Sequence, residues 1–118
     1  MMYKLKKSFH YAINGLFYVW CTQRNMRIHF FVAVIVFLLS FCFRLDRTEF
    51  LFVMAAVFFV LVAEIFNTAI EKTIDLYTEE YRPLARTVKD VSAAAVLIAS
   101  LFALIVGIIV FGEKILFY

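Results

Sequence analysis

Three stretches of the chain run for many residues without a charge, and the polar residues gather between them rather than among them. The first, Ile28 to Phe43, is bounded by Arg27 and Arg44 and has 16 residues. As a helix it measures about 24 Å, slightly short for a hydrocarbon core of about 30 Å. The second opens at Phe50, is uncharged to Ala63, admits Glu64 and continues through Ile65–Ile70 to Glu71. The third, Val91 to Gly112, has 22 residues, about 33 Å of helix and enough to cross alone. No proline interrupts any of them; Pro83 lies in the polar connection between the second and third. The pattern predicts three membrane helices, over 28–45, 49–76 and 90–112.

The segment before the first span differs in kind. Leu5, Phe9, Ala12, Ile13, Leu16, Phe17 and Trp20 fall on one helical stripe, while Lys6, Lys7, His10 and Asn14 lie away from it. A basic amphipathic helix with Trp and Tyr predicts a surface helix over 1–25, lying in the headgroup plane. A secretory signal is not expected, because no short apolar region with a small-residue cleavage site follows the lysines. The expected architecture is one all-α membrane domain over 1–118: a surface helix and three spans.

Composition agrees and excludes the alternatives. Of 118 residues, 65% are apolar and 18% charged, against roughly 45–50% and 25% in an ordinary globular domain. Fifteen Phe cannot all be buried in so small a particle. Three Gly, one Pro and two Cys exclude collagen-like, linker-like and disulfide-stapled chains. Cys21 and Cys42 have no metal-ligand spacing and are expected as small apolar fillers.

Charge sets the expected orientation. Residues 1–45 hold six Lys/Arg and no acid, the 45–49 turn has one Arg, and 71–90 carries four Lys/Arg with five acids. Lys/Arg bias rather than net charge orients spans. The N-terminus and 71–90 are therefore expected on the cytoplasmic side, with the 44–49 turn and the C-terminus outside.

Glu64 is the one ionisable residue that must lie within a span, and such residues are functional candidates by default. Asn67, Glu71 and Asp75 fall at about −60°, −20° and +20° from it, and Thr68 at about +40°. Glu64 lies about 21 Å into a helix entered from the outer side at Phe50. The stripe thus starts in the inner leaflet and runs out into water. Carboxylates so spaced could ligate Mg²⁺, which favours oxygen ligands and bridges to substrate phosphates. A desolvated carboxylate suits proton abstraction from a lipid hydroxyl. A polar helix end solvated by headgroups is the alternative, and spacing alone leaves it open.

Arg82, Arg86 and Lys89 line the 71–90 connection. A Lys there could neutralise a transferred phosphoryl group, and Asp90 is a plausible N-cap for the helix from Val91 onward. Ala95, Ala99, Ala103 and Gly107 recur every four residues, a register that lets membrane helices approach closely. No glycine-rich phosphate loop of either familiar type is present.

Glu64-Ile-Phe-Asn67-Thr-Ala-Ile-Glu71, then Asp75, then Lys89-Asp90-x-Ser-Ala-Ala-Ala-Val-Leu resembles the prokaryotic diacylglycerol kinase family, which includes the undecaprenol kinases. Ser8-Phe9-x-x-Ala12-x-x-Gly15 and Arg24-Asn-Met-Arg-Ile-His29 extend the resemblance to nearly the whole chain. It implies homotrimers in the bacterial cytoplasmic membrane, with active sites shared between protomers at the cytoplasmic interface. It also implies transfer of the ATP γ-phosphate, with Mg²⁺, to a membrane lipid alcohol. Glu64 would be the general base with Asn67 beside it. Glu71 would bind the Mg²⁺, and Asp75 would support the nucleotide site. Lys89 would hold the γ-phosphate and Asp90 help to place it, while Glu80, Tyr81 and Arg82 would contact ATP.

One position departs from the family. Gln23 stands where the family usually has Glu as a second metal carboxylate, and a neutral carbonyl oxygen is a weaker Mg²⁺ ligand. Two other functions compete: a small proton-coupled transporter built on its membrane Glu, and a catalytically weakened structural homologue. A transporter acid is expected nearer the midplane than Glu64, and a transporter gains nothing from a Lys-Asp pair. Nothing points to a nucleic acid partner, and the acceptor, diacylglycerol or undecaprenol, is not encoded legibly.

Overall fold

A computed structural model describes residues 1–117; Tyr118, included in the expected domain, lies outside the described residues. The chain forms four helices: α1 (Met2–Thr22), α2 (Arg24–Cys42), α3 (Arg47–Tyr77) and α4 (Pro83–Leu116). The last three are long and apolar enough to cross a membrane. At 31 and 34 residues, α3 and α4 measure about 46 and 51 Å, well beyond a core of about 30 Å. That surplus carries the polar residues.

A single residue separates α1 from α2. Gln23 is extended, with φ −111° and ψ 110°, so its backbone breaks the helix without a glycine. Arg27 donates from Nη1 to the carbonyls of Trp20 (2.8 Å) and Cys21 (3.2 Å). A cation there satisfies carbonyls that the end of α1 leaves open and meets the negative end of its dipole. Trp20 packs edge-on against Phe30 of α2, with ring centroids 5.2 Å apart.

The turn between α2 and α3 is closed by backbone bonds and a capping box. Leu45 N–H reaches Ser40 O and Arg44 N–H reaches Phe41 O, both at 3.1 Å, with Arg44 left-handed at φ 51°. This is a Schellman ending with an arginine where glycine is usual. Asp46 then accepts from Glu49 N–H at 2.9 Å while Glu49 accepts from Asp46 N–H at 3.2 Å. The Glu49 N–H bond is the main reason that the Asp46 carboxyl sits below its ordinary value of 3.8. Lys114 of α4 closes the same end with an ion pair to Glu49 at 3.2 Å.

α3 and α4 pack most closely. Val53, Ala56 and Val60 of α3, and Ala99, Val106 and Val110 of α4, are buried. Of the small-residue register, Ala99 is wholly buried and Ala103 and Gly107 are half-buried, but Ala95 is exposed. Elsewhere the long helices expose Phe, Leu and Ile along most of their length. An apolar surface of that extent belongs to a protein in lipid or among other chains, and the chain is a membrane protein.

One expected boundary was misplaced. Pro83 does not sit in a connection; it occupies the first turn of α4, where its missing N–H costs nothing and its φ suits a helix. The connection shrinks to Thr78–Arg82, and Asp90 lies two turns inside the helix instead of capping it. The N-cap is Arg82, without a side-chain cap bond.

Candidate active site

The polar residues of α3 are divided between its two neighbours. Glu64, 1% exposed, meets α2: its Oε2 lies 3.7 Å from His29 Nε2 and makes no hydrogen bond. One turn on, Asn67 Oδ1 accepts from Ser92 Oγ of α4 at 2.7 Å, and that hydroxyl is also 2.9 Å from Lys89 O. Thr68, likewise buried, bonds back to Glu64 O at 2.9 Å. Two turns beyond, Lys89 Nζ of α4 donates to Asp75 Oδ1 at 2.7 Å. His29, Glu64, Asn67, Asp75, Lys89 and Ser92 thus form one seam across α2, α3 and α4, from a dry end at Glu64 to a half-exposed end at Asp75.

Glu71 lies on the seam between these contacts. It is half-buried and, among the described residues, joins none of the ion pairs. Among the described residues, the other expected residues make no hydrogen bond or ion pair with the seam. Asp90 is exposed and held by Arg86 Nε and Nη2 at 2.9 and 2.7 Å. Glu80 and Arg82 pair loosely at 3.9 Å on the exposed connection, Arg82 stacks over Tyr77, and Tyr81 is open to its surroundings. Gln23 sits at the α1–α2 break, with Nε2 3.4 Å from Thr22 Oγ1.

Among the described residues, no three His, Cys, Asp or Glu side chains gather closely enough to hold an ion by themselves. The donors present fit Mg²⁺ in another way. That ion keeps several waters and takes one or two carboxylates plus substrate phosphates, not an all-protein cage, and Glu71 is a carboxylate on the same helix face with no ion-pair partner among the described residues.

Beside the dry end runs an open apolar groove of about 650 Å³ between α2, α3 and α4, lined by Val36, Val53, Val60, Val106 and Phe111 among others, with His29 also in its wall. A long apolar chain in the groove would thus reach the side chain that faces Glu64. Two members of this arrangement, His29 and Ser92, had no role in the reading of the sequence. The signals existed: a histidine just inside the first span, and a serine one turn after Lys89.

The fold and the seam define an all-helical membrane protein with three helices long and apolar enough to cross, and with the seam's carboxylates and ammonium toward one end of the bundle. Residues 10–111 match the family described as prokaryotic diacylglycerol kinase, and the chain belongs to that family. It is 33% identical to the undecaprenol kinase of Bacillus subtilis (strain 168), over 92% of this chain and 88% of that one. It is 39% identical to a diacylglycerol kinase of Synechocystis sp., over 85% of this chain but only 58% of that longer protein. With the diacylglycerol kinase of Escherichia coli K12 it shares 28% identity over 86% of this chain and 84% of that one. Membership makes the chain an integral membrane lipid kinase and disfavours the transporter alternative.

Proposed function

We propose that the protein transfers the γ-phosphate of ATP, with Mg²⁺, to the hydroxyl of a lipid alcohol at the inner face of a bacterial cytoplasmic membrane. The observation that carries this reading is Glu64: a buried carboxylate with an unpartnered oxygen, beside an apolar groove and on the same seam as the Lys89–Asp75 pair. The groove accepts the lipid chain and brings its hydroxyl to Glu64. Glu64 takes the hydroxyl proton as the lipid oxygen bonds to the γ-phosphorus and the bond to ADP breaks. Asn67, fixed by Ser92, stands beside the base. Lys89 exchanges its contact with Asp75 for a γ-phosphate oxygen, and Asp90 helps to place that group. Asp75, Glu80, Tyr81 and Arg82 serve the nucleotide. Glu71 would hold the metal, with Gln23 as a neutral second ligand, and the metal would offset the phosphate charge when bound.

Phosphoryl transfer asks mainly for positioning and charge, and a seam of this kind supplies both without a glycine loop. In the bilayer α1 lies in the headgroup plane with its lysines toward water, the N-terminus is cytoplasmic and the C-terminus is outside. Three copies assemble, as the family resemblance implies, because three spans alone cannot enclose a site.

Purified protein in detergent, given labelled ATP and either diacylglycerol or undecaprenol, is expected to label one lipid preferentially. The family relation admits both acceptors. Absence of labelled lipid from both would refute the reading.

A further inference from the structure

Glu64 is the most deeply buried ionisable side chain among the described residues, and its Oε2 has no hydrogen-bond partner. A carboxylate in such a place is costly unless a donor or cation faces it. The groups around it are few. From α4, the Ser92 hydroxyl is engaged with Asn67 and Lys89 O, and the Lys89 ammonium is engaged with Asp75. On α3 itself, the Asn67 amide faces the carboxyl one turn on, with its Oδ1 held by Ser92, and the next charge along the stripe is Glu71, of the same sign. From α2 comes His29, whose Nε2 is the nearest titratable donor at 3.7 Å. Its side chain is 24% exposed and also lines the groove, so one imidazole borders both the carboxylate and the space for the lipid.

We propose that His29 is a positioning residue for Glu64: its Nε2–H closes onto the unpartnered Oε2 and leaves the other carboxylate oxygen to receive the proton of the lipid hydroxyl. The inference rests on Glu64 being the base. A separation of 3.7 Å is longer than a formed hydrogen bond, about 2.7–3.2 Å, but catalytic contacts are often long before substrate binds and tighten in the complex. An orienting partner behind the base is the general pattern that fixes its geometry. The role calls for the tautomer with hydrogen on Nε2, and His29 exchanges no proton in the step.

The test is steady-state kinetics of the full chain in mixed micelles with Mg-ATP and the lipid alcohol that the parent protein phosphorylates. The variants are His29→Phe, His29→Leu, His29→Gln, Glu64→Gln and the double variant Glu64→Gln/His29→Phe. His29→Phe and His29→Leu are expected to lower kcat at least about tenfold while the lipid KM stays within about threefold. His29→Gln places an amide N–H near the lost Nε2 and is expected to return kcat to within about threefold of the parent. On the Glu64→Gln background, His29→Phe should cost less than about twofold, since groups that act as a unit are not additive. Parental kcat in both apolar variants, with Glu64→Gln inactive, would overturn the role of His29 and leave the base assignment standing. An active Glu64→Gln would remove the base and this inference with it. A loss that His29→Gln does not rescue, or one of equal size on both backgrounds, would mean that His29 only fills space.

Discussion

At the scale of single residues, the seam depends on bonds between unlike partners on different helices. Asn67 and Ser92 are both buried and bonded at 2.7 Å, so Ser92→Ala strands the Asn67 carbonyl oxygen. Leaving a buried polar group unsatisfied costs about 1–3 kcal/mol; thermal unfolding in detergent should register that loss, and Asn67→Ala/Ser92→Ala should lose less than the two single variants added. Gln23 makes a different prediction. If it serves the same metal as Glu71, Gln23→Glu should lower the Mg²⁺ concentration for half-maximal rate, because ligand charge is one of the terms that tune divalent affinity. Arg24→Gln should leave that midpoint unchanged, as an arginine cannot ligate a cation. An unmoved midpoint in Gln23→Glu would separate Gln23 from the metal. The stripe of Glu64, Asn67, Glu71 and Asp75 was legible in the sequence because helical periodicity alone aligns it. Its partners were not: which of α2 and α4 faces which residue depends on helix rotation and packing, and this hid His29 and Ser92.

At the scale of elements, the number of long apolar helices was legible from uncharged runs, since a charge inside a span is too costly to be common. The start of α4 was not. The stretch from Leu84 to Asp90 is polar but favourable to helix, and a run-length criterion stops at the last charge whereas a helix continues until its backbone is broken. Pro83 does not break it because it comes first. The α2–α3 turn offers a pH test at this scale. Asp46 is held below its ordinary value by the Glu49 N–H, so its charge contributes stability above the unfolded value, and that contribution is lost as pH falls through the folded one. The advantage of the parent over Asp46→Asn should therefore be constant from pH 7 down to about 5 and shrink below about 4. Melting temperatures of the two proteins at pH 7, 5 and 3.5 check this; a gap that is unchanged at the lowest pH would remove the charge from the cap.

At the scale of the whole molecule, one protomer exposes Phe, Leu and Ile along its long helices and keeps Glu80, Tyr81 and Arg82 open at the end that carries the seam. Assembly into threes would cover part of both surfaces. Native mass measurement or cross-linking in mild detergent should return trimers, and only monomers would defeat that proposal. Orientation is testable independently: a cysteine placed beyond Leu116 should be labelled from outside intact cells, and one placed beside Lys4 only after permeabilisation.

The most direct measurement is transfer of labelled phosphate from ATP to lipid by the parent and by Glu64→Gln, side by side, with the variant first confirmed to be folded. Glutamine keeps the size of the side chain but cannot take the proton, and loss of a general base costs about 10²–10⁴-fold in rate. With Glu64 as the base, the parent is expected to give a labelled lipid product and the variant a loss in that range. Glu64→Gln working within a few-fold of the parent would contradict it.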